Sequence, residues 1–328
     1  MDERKDERKD EHKPDVVTVG EAMALFIARE AKPLADVRDF ERATAGAELN
    51  VSVGLARLGF RVGYLSALGN DSLGANLLAF MDVEGIDRSH VRIDHDYPTG
   101  FMLKAMTDDG SDPQVEYFRR GSAASRLSPA DLREPDPWRQ ARLLHVTGIS
   151  PALSNGCREL VFAMARQARA AGRLVTFDPN LRPRLWPSEA AMVDTINELA
   201  GLSDVVMPGL SEGKLLTGRA DAAGIADFYL ERGARQVVVK LGPDGAYYAD
   251  GANRGTVPGQ PVAKVVDTVG AGDGFAVGVL SALLEGLSLR DAAARGNAIG
   301  ARQVQFRGDC DGLPTREQLA EAMAPPAP

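Results

Sequence analysis

From residue 143 onward the chain alternates short apolar runs with longer stretches of helical spacing, and this rhythm limits the possible folds more than any other feature. The runs are Leu143–Thr147, Leu174–Asp178, Val205–Pro208 and Val237–Leu241, and Ala/Leu/Arg-rich segments separate several of them. A strand that is apolar on both sides must be covered on both faces. Strands joined through helices must then run parallel, as successive βαβ units. Upstream, Val16 to Ala28 is an apolar run interrupted at Gly20 and Glu21, which reads as a buried strand passing into a second, less buried one. Leu49, Val53, Leu55, Ala56 and Leu58 recur at helical spacing until Gly59, and Arg61 to Leu68 reads as a strand again. Phe101–Met106 and Val115–Arg119 alternate around Asp108-Asp-Gly-Ser-Asp-Pro113, the pattern of a hairpin with one wet face. A strand-rich stretch runs from Ala246 to Val266, and two helices, Gly272–Glu285 and Leu289–Arg307, close the chain. The expected fold is α/β: a doubly wound, mostly parallel sheet with a small β-sheet lid drawn from residues 20–45 and 97–120. Ligands of such sheets sit at the carboxyl ends of the strands, at the topological switch point.

Composition narrows the partners. With 38 basic and 46 acidic residues the net charge is −8, which argues against a nucleic acid or an anionic membrane. No stretch approaches the roughly 20 apolar residues of a membrane span. Cys157 and Cys310 are the only cysteines and the histidines number four, so neither a disulfide scaffold nor a structural metal site is expected, and the setting reads as cytoplasmic. Residues 1–14 repeat Asp-Glu-Arg-Lys and offer nothing to bury, so they are expected to form a frayed, charged tail, as are residues 321–328. Residues 15–320 are then one domain.

The chemistry concentrates in Asp267-Thr-Val-Gly-Ala-Gly-Asp273, just ahead of a helix. Gly270, Ala271 and Gly272 leave their backbone N–H groups open to an anion, and the helix dipole adds roughly half a positive charge there. Asp273 beside them could take a proton from an attacking hydroxyl. Alone, Gly-x-Gly-Asp reads equally well as a capped helix start. The spacing fits neither a Rossmann fingerprint nor a Walker P-loop.

The string from Asp267 to Leu280 resembles the C-terminal signature of the ribokinase-like, PfkB-type carbohydrate kinases. Ala45-Gly-Ala-Glu-Leu-Asn50, with Ser52, Gly59 and Gly69, resembles their N-terminal signature. Two distant signatures in the right order place about residues 15 to 320 in that likeness. A narrower resemblance, to kinases of 2-ketogluconate and 2-keto-3-deoxygluconate, rests on Tyr117–Ser125, Asp178–Trp186 and Arg307-Gly-Asp309.

The resemblance implies a ribokinase-like fold, ATP and Mg²⁺ as cofactors, and a small sugar acid as substrate, and it leaves a need for K⁺ open. It implies Asp273 as general base and Gly270, Ala271 and Gly272 as the anion hole. Gly46, Ala47 and Asn50 would hold sugar hydroxyls, the lesser alternative for Asn50 being a helix cap. Tyr117 and Arg119 share one strand face, and the fork of Arg119 suits a carboxylate; otherwise Arg119 is a surface residue of an edge strand. Asp309 would bond the sugar, and Arg182 would meet phosphate or the substrate acid. Asn180, Lys240, Gly242, Asp244, Gly245 and Asn297 are implied at the nucleotide, though Gly-Pro-Asp-Gly alone is a turn and Asn297 alone a helix-surface residue. Glu212 would order magnesium-bound water, with Gly209 standing where the family usually has asparagine. Met102 replaces a tyrosine of many 2-keto-3-deoxygluconate kinases, which favours 2-ketogluconate. The reaction implied is transfer of the ATP γ-phosphoryl group to the C6 hydroxyl of the acid. A neutral-sugar kinase is the alternative, opposed because a buried guanidinium at Arg119 would lack a partner. A sensor without catalysis is opposed by the intact Asp273 and anion hole. The lid strands also suggest a homodimer that hides their apolar face.

Overall fold

The computed structural model describes residues 13–107, 113–133 and 136–323. Most of the expected tails, and the turn at 108–112, lie outside these residues. Strands β1 (Val16–Val19), β4 (Val62–Gly69), β5 (Val91–Asp94), β8 (Leu143–Thr147), β9 (Leu174–Asp178), β10 (Val205–Val206), β11 (Gln236–Lys240), β12 (Ala246–Ala249) and β13 (Arg254–Val257) form one nine-stranded sheet. Its order is β13-β12-β11-β10-β9-β8-β1-β4-β5, parallel from β11 to β5 and antiparallel through the last two strands. The chain leaves β1 toward β4 on one side and later returns at β8 on the other. That reversal is the switch point, and a crevice opens above it.

Strands β2 (Met23–Ala28), β3 (Phe40–Ala45), β6 (Phe101–Lys104) and β7 (Val115–Phe118) form the lid, a separate four-stranded sheet in the order β3-β2-β6-β7. The interruption at Gly20 and Glu21 is therefore where the chain crosses from core to lid. One lid face packs Met23, Leu25, Ala45 and Met102 inward.

Helices of two or more turns are α1 (Ala47–Arg57), α2 (Ser72–Val83), α3 (Asn155–Ala170), α4 (Glu189–Gly201), α5 (Leu210–Thr217), α6 (Ala222–Leu230), α7 (Ala271–Leu284), α8 (Leu289–Gln303) and α9 (Arg316–Met323). Helices α3, α4 and α6 cover one face of the large sheet; α1, α7 and α8 cover the other. The sequence rhythm missed α9, whose single buried Leu319 gives it almost no apolar stripe. It extends the ordered chain past residue 320 to Met323, into the stretch expected to be tail. Helix α8 stops at Gln303 rather than Arg307, because the Gln303 side chain bonds Gly308 and Gly312 in the turn that follows. Among the described residues no strand follows Val257, where the sequence suggested extended chain as far as Val266.

Candidate active site

Two cavities meet at the N-terminus of α7. The first, of about 290 Å³, lies between the crevice and the inner face of the lid. The second, of about 510 Å³, is lined largely by Pro243, Val262, Val265, Phe275 and Val304, a slot suited to a flat, apolar ring. Lys240, Thr268 and Gly272 line both. A group passed between the two must cross the start of α7.

The backbone there is built to approach something closely. Gly270 caps α7 with φ +82°, and a Cβ at that position would collide with the carbonyl oxygen of Asp309. The N–H groups of Gly270 and Gly272 have no acceptor among the described residues, while that of Ala271 reaches the Thr268 carbonyl at 3.3 Å. Asp273, on the first turn, is buried and faces the first cavity. Asn50 donates to its Oδ2 at 2.8 Å and Asn180 to its Oδ1 at 3.3 Å. Burial pushes the Asp273 carboxyl up to about 7 from an ordinary 3.8; the Asn50 bond opposes this, Asp178 and Asp309 add to it, and Arg182 lowers it. A carboxyl poised there suits a general base. His145, the buried histidine on β8, is unsuited, because burial and the Lys240 charge push it down to about 3.

Asn50 lies inside α1, its N–H bonded to the carbonyl of Gly46, so it is not a cap. Its Oδ1 is buried without a partner, an acceptor waiting for a donor such as a sugar hydroxyl. Gly46, Ala47, Tyr117, Arg119, Arg182 and Asp309 line the same cavity. Asn180 does too, with φ 40°, and so does not sit with the nucleotide group expected of it; Arg182 likewise lines the first cavity and not the second. The reason is local: the Arg182 guanidinium folds back onto the Asn180 and Leu181 carbonyls and the Asn180 side chain.

In the second cavity stand Lys240, Gly242, Gly245, Ala271 and Asn297. Asp244 does not line it; its short turn points the side chain to solvent. Asn297 spends its amide on the carbonyls of Val257 and Pro258, which ties α8 to the edge of the sheet. The Lys240 ammonium bonds both oxygens of Asp178, at 2.8 and 2.7 Å. Burial would lower its pKa most, yet the Asp178 charge and hydrogen bond, together with the Glu212 and Asp273 charges, outweigh it, so the net shift is upward and it stays a cation.

Among the described residues no group of three or more His, Cys, Asp or Glu is arranged to hold a metal. Glu212 lines the first cavity, and its oxygens accept the N–H groups of Leu181 and Gly209, each at 2.7 Å. The glycine at 209 therefore still fixes Glu212, through its backbone. Such a donor set fits a hard cation that arrives with phosphates and keeps its waters.

Two partners were not legible as site residues. Glu21, buried at the crossing from β1 to the lid, accepts from Arg119 Nε at 2.6 Å and Nη2 at 2.5 Å, and from the Ser122 hydroxyl. Its signal was a lone acid inside an apolar run. This corrects the argument against a neutral sugar: the Arg119 guanidinium has a partner, with only Nη1 unbonded among the described residues. Lys104 is the other; it lies two residues from Met102 on the inward face of β6 and is 1% exposed.

Known proteins resemble this chain in sequence and fold. Residues 13–316 match the pfkB family of carbohydrate kinases. A 2-dehydro-3-deoxygluconokinase of Bacillus subtilis (strain 168) is 53% identical over 313 residues, 95% of this chain and 96% of that protein. Among solved structures, a PfkB protein from Polaromonas sp. JS666 superposes with a TM-score of 0.86 at 50% identity, covering 93% of this chain and 99% of that one. A putative ribokinase II from E. coli in complex with ATP and Mg²⁺ superposes with a TM-score of 0.87 at 25% identity, over 94% and 99%.

Proposed function

We propose, from the premise that this chain belongs to the pfkB family of carbohydrate kinases, that it transfers the γ-phosphoryl group of ATP to the C6 hydroxyl of 2-keto-3-deoxygluconate. The observation that carries the transfer is the meeting of the two cavities at Gly272, with Asp273 on the sugar side and two unbonded N–H groups beside it. The choice of acid rests on the 53% identity with the Bacillus subtilis enzyme. Met102, buried and apolar on the cavity wall, offers a C3 hydroxyl no partner, which suits the 3-deoxy acid and corrects the expectation that this residue favours 2-ketogluconate; 2-ketogluconate is the second reading.

In this reading the sugar acid lies under the lid with its carboxylate toward Arg119 Nη1 and Tyr117. Asn50 accepts from a sugar hydroxyl. Asp273 takes the proton of the C6 hydroxyl, that oxygen attacks the γ-phosphorus, and the bond to the ADP oxygen breaks. The N–H groups of residues 270–272 receive the transferred group, each such donor being worth about 3–4 kcal/mol of barrier. The adenine occupies the second cavity, and Lys240 reaches the phosphates between the two. Glu212 would hold a Mg²⁺ ion through water, and such an ion would supply charge neutralisation at the phosphates. NMR of the product tests the position of transfer: phosphorus coupled to the C6 protons is expected, and coupling at any other carbon overturns that assignment.

Because Asp273 must be ionised to act, kcat/KM is expected to climb tenfold per pH unit below about 7 and to level off above it. A profile flat from pH 5 to 8 would remove Asp273 from the proton transfer. No helix of the described residues is long and apolar enough to cross a membrane. Both cysteines are buried and unpaired, which supports a reducing, cytoplasmic setting.

The outer lid face supports the dimer. Phe101 stacks on Phe118 with centroids 4.6 Å apart, Phe26 meets Phe101 edge-on, and Phe118 is 47% exposed. A second copy on this face would cover that row. Light scattering is expected to give twice the chain mass; a strict monomer at high concentration counts against the dimer.

A further inference from the structure

Lys104 is the most deeply buried cation of the lid, and nothing in the proposed chemistry uses it. Its ammonium makes three bonds: to Asp267 Oδ2 at 2.7 Å, to Asp309 Oδ1 at 2.8 Å and to the Arg307 carbonyl at 2.7 Å. Three donors meet three oxygens, which satisfies the group completely. Both acidic residues flank the anion hole, Asp267 through its carboxylate and Asp309 through its backbone. Asp267 Oδ1 accepts from Val269 N at 2.9 Å, one residue ahead of Gly270, and the Asp309 carbonyl packs against Gly270 where a Cβ would collide. The lid strand is thus bolted to the loop that would receive the phosphoryl group, from two sides at once.

Charge gives the bolt a second effect. Two carboxylates beside an anion-binding loop would repel an incoming phosphoryl group, and in a buried setting such repulsion is weakly screened. The ammonium offsets one of the two. Since Met102 on the same strand face forms part of the first cavity wall, the lid carries a sugar-side residue and the counter-charge together.

We propose that Lys104 is a positioning residue for phosphoryl transfer: from the lid strand it holds the 267–270 loop in its anion-binding shape and offsets one of the two carboxylate charges beside it. This rests on the kinase reading above, and it makes the anion hole complete only while the lid is seated.

The test is rescue of Lys104→Met by small cations, after circular dichroism has shown the variant to be folded. The kcat is expected to fall at least about tenfold, the scale of a loop displaced by a fraction of an ångström. Ammonium or potassium chloride, whose cations match the lost head group in size, is expected to restore a large part of it. Tetramethylammonium chloride at equal ionic strength is too bulky and is expected to restore none. A folded variant within about threefold of wild type, or a deficit that ammonium and potassium leave unchanged, overturns the proposal. If the single variant does not fold, Lys104→Met/Asp267→Asn, which keeps the net charge of the three side chains at −1, goes through the same comparison. Wild-type protein that turns over no sugar acid would overturn the substrate reading alone. Lys104→Met is then read by calorimetry without sugar: weaker binding of ATP than of ADP supports the bolt, and equal weakening overturns it.

Discussion

Asp273→Asn is expected to lower kcat by about 10²–10⁴, the usual scale for a lost general base, while the fold and ATP binding persist. The asparagine keeps the shape: its oxygen can still accept from Asn180, and its amide nitrogen can donate to Asn50 once that side chain turns its unpartnered Oδ1 inward. A second readout separates this loss from mere damage. The native carboxyl titrates near 7 against 3.8 in an ordinary setting, so the folded state holds the proton more tightly than the unfolded chain. Its contribution to stability is full below 3.8 and is lost as the pH rises through about 7. The variant carries no such charge. Its melting temperature should therefore exceed that of wild type at pH 8, and by less at pH 5. A slow enzyme that is also the more stable protein would mark a group kept for chemistry. Turnover within a few-fold of wild type would end the assignment.

Removing Arg119 alone is expected to damage the protein before it reports on substrate. Its partner Glu21 is 2% exposed, and a buried carboxylate stripped of its cation costs about 3–5 kcal/mol. Arg119→Met/Glu21→Gln avoids this, because the glutamine can still accept from the Ser122 hydroxyl that now donates to Glu21. With the fold kept, the double variant should lose one charge-assisted contact to the acid, about 1.5–3 kcal/mol, or roughly 10–150-fold in kcat/KM. The value for an uncharged sugar such as fructose should change by less than about threefold. Equal losses on both would make the Glu21–Arg119 pair a support of the lid. They would also take away the main contact argued for the carboxylate.

The two distant ends of the candidate site, Gly46–Asn50 and Gly270–Asp273, were legible because each places small residues at a helix start, where the backbone can approach a ligand closely. The large sheet was legible for a related reason: strands buried on both faces cannot carry polar residues without partners, so their apolar runs stand out. What escaped is held by pairs. Glu21 with Arg119, Lys104 with Asp267 and Asp309, and Asp178 with Lys240 are each separated by tens to hundreds of positions, and only the fold brings them together. Lys104 looked like the polar member of an alternating strand. Asp309 looked like a sugar ligand, and half of its carboxylate is committed to that lysine. Asp244 failed for the opposite reason, since a turn signature says that the backbone bends but not which way its side chain points.

Turnover across a sugar panel, followed as ADP release with saturating ATP and Mg²⁺, reaches the central claim most directly. Wild-type kcat/KM for 2-keto-3-deoxygluconate is expected to exceed that for fructose and ribose by at least about tenfold, the lower end of what one charge-assisted contact supplies. 2-Ketogluconate is expected to fall between them. A preference for fructose or ribose over both acids would contradict the account.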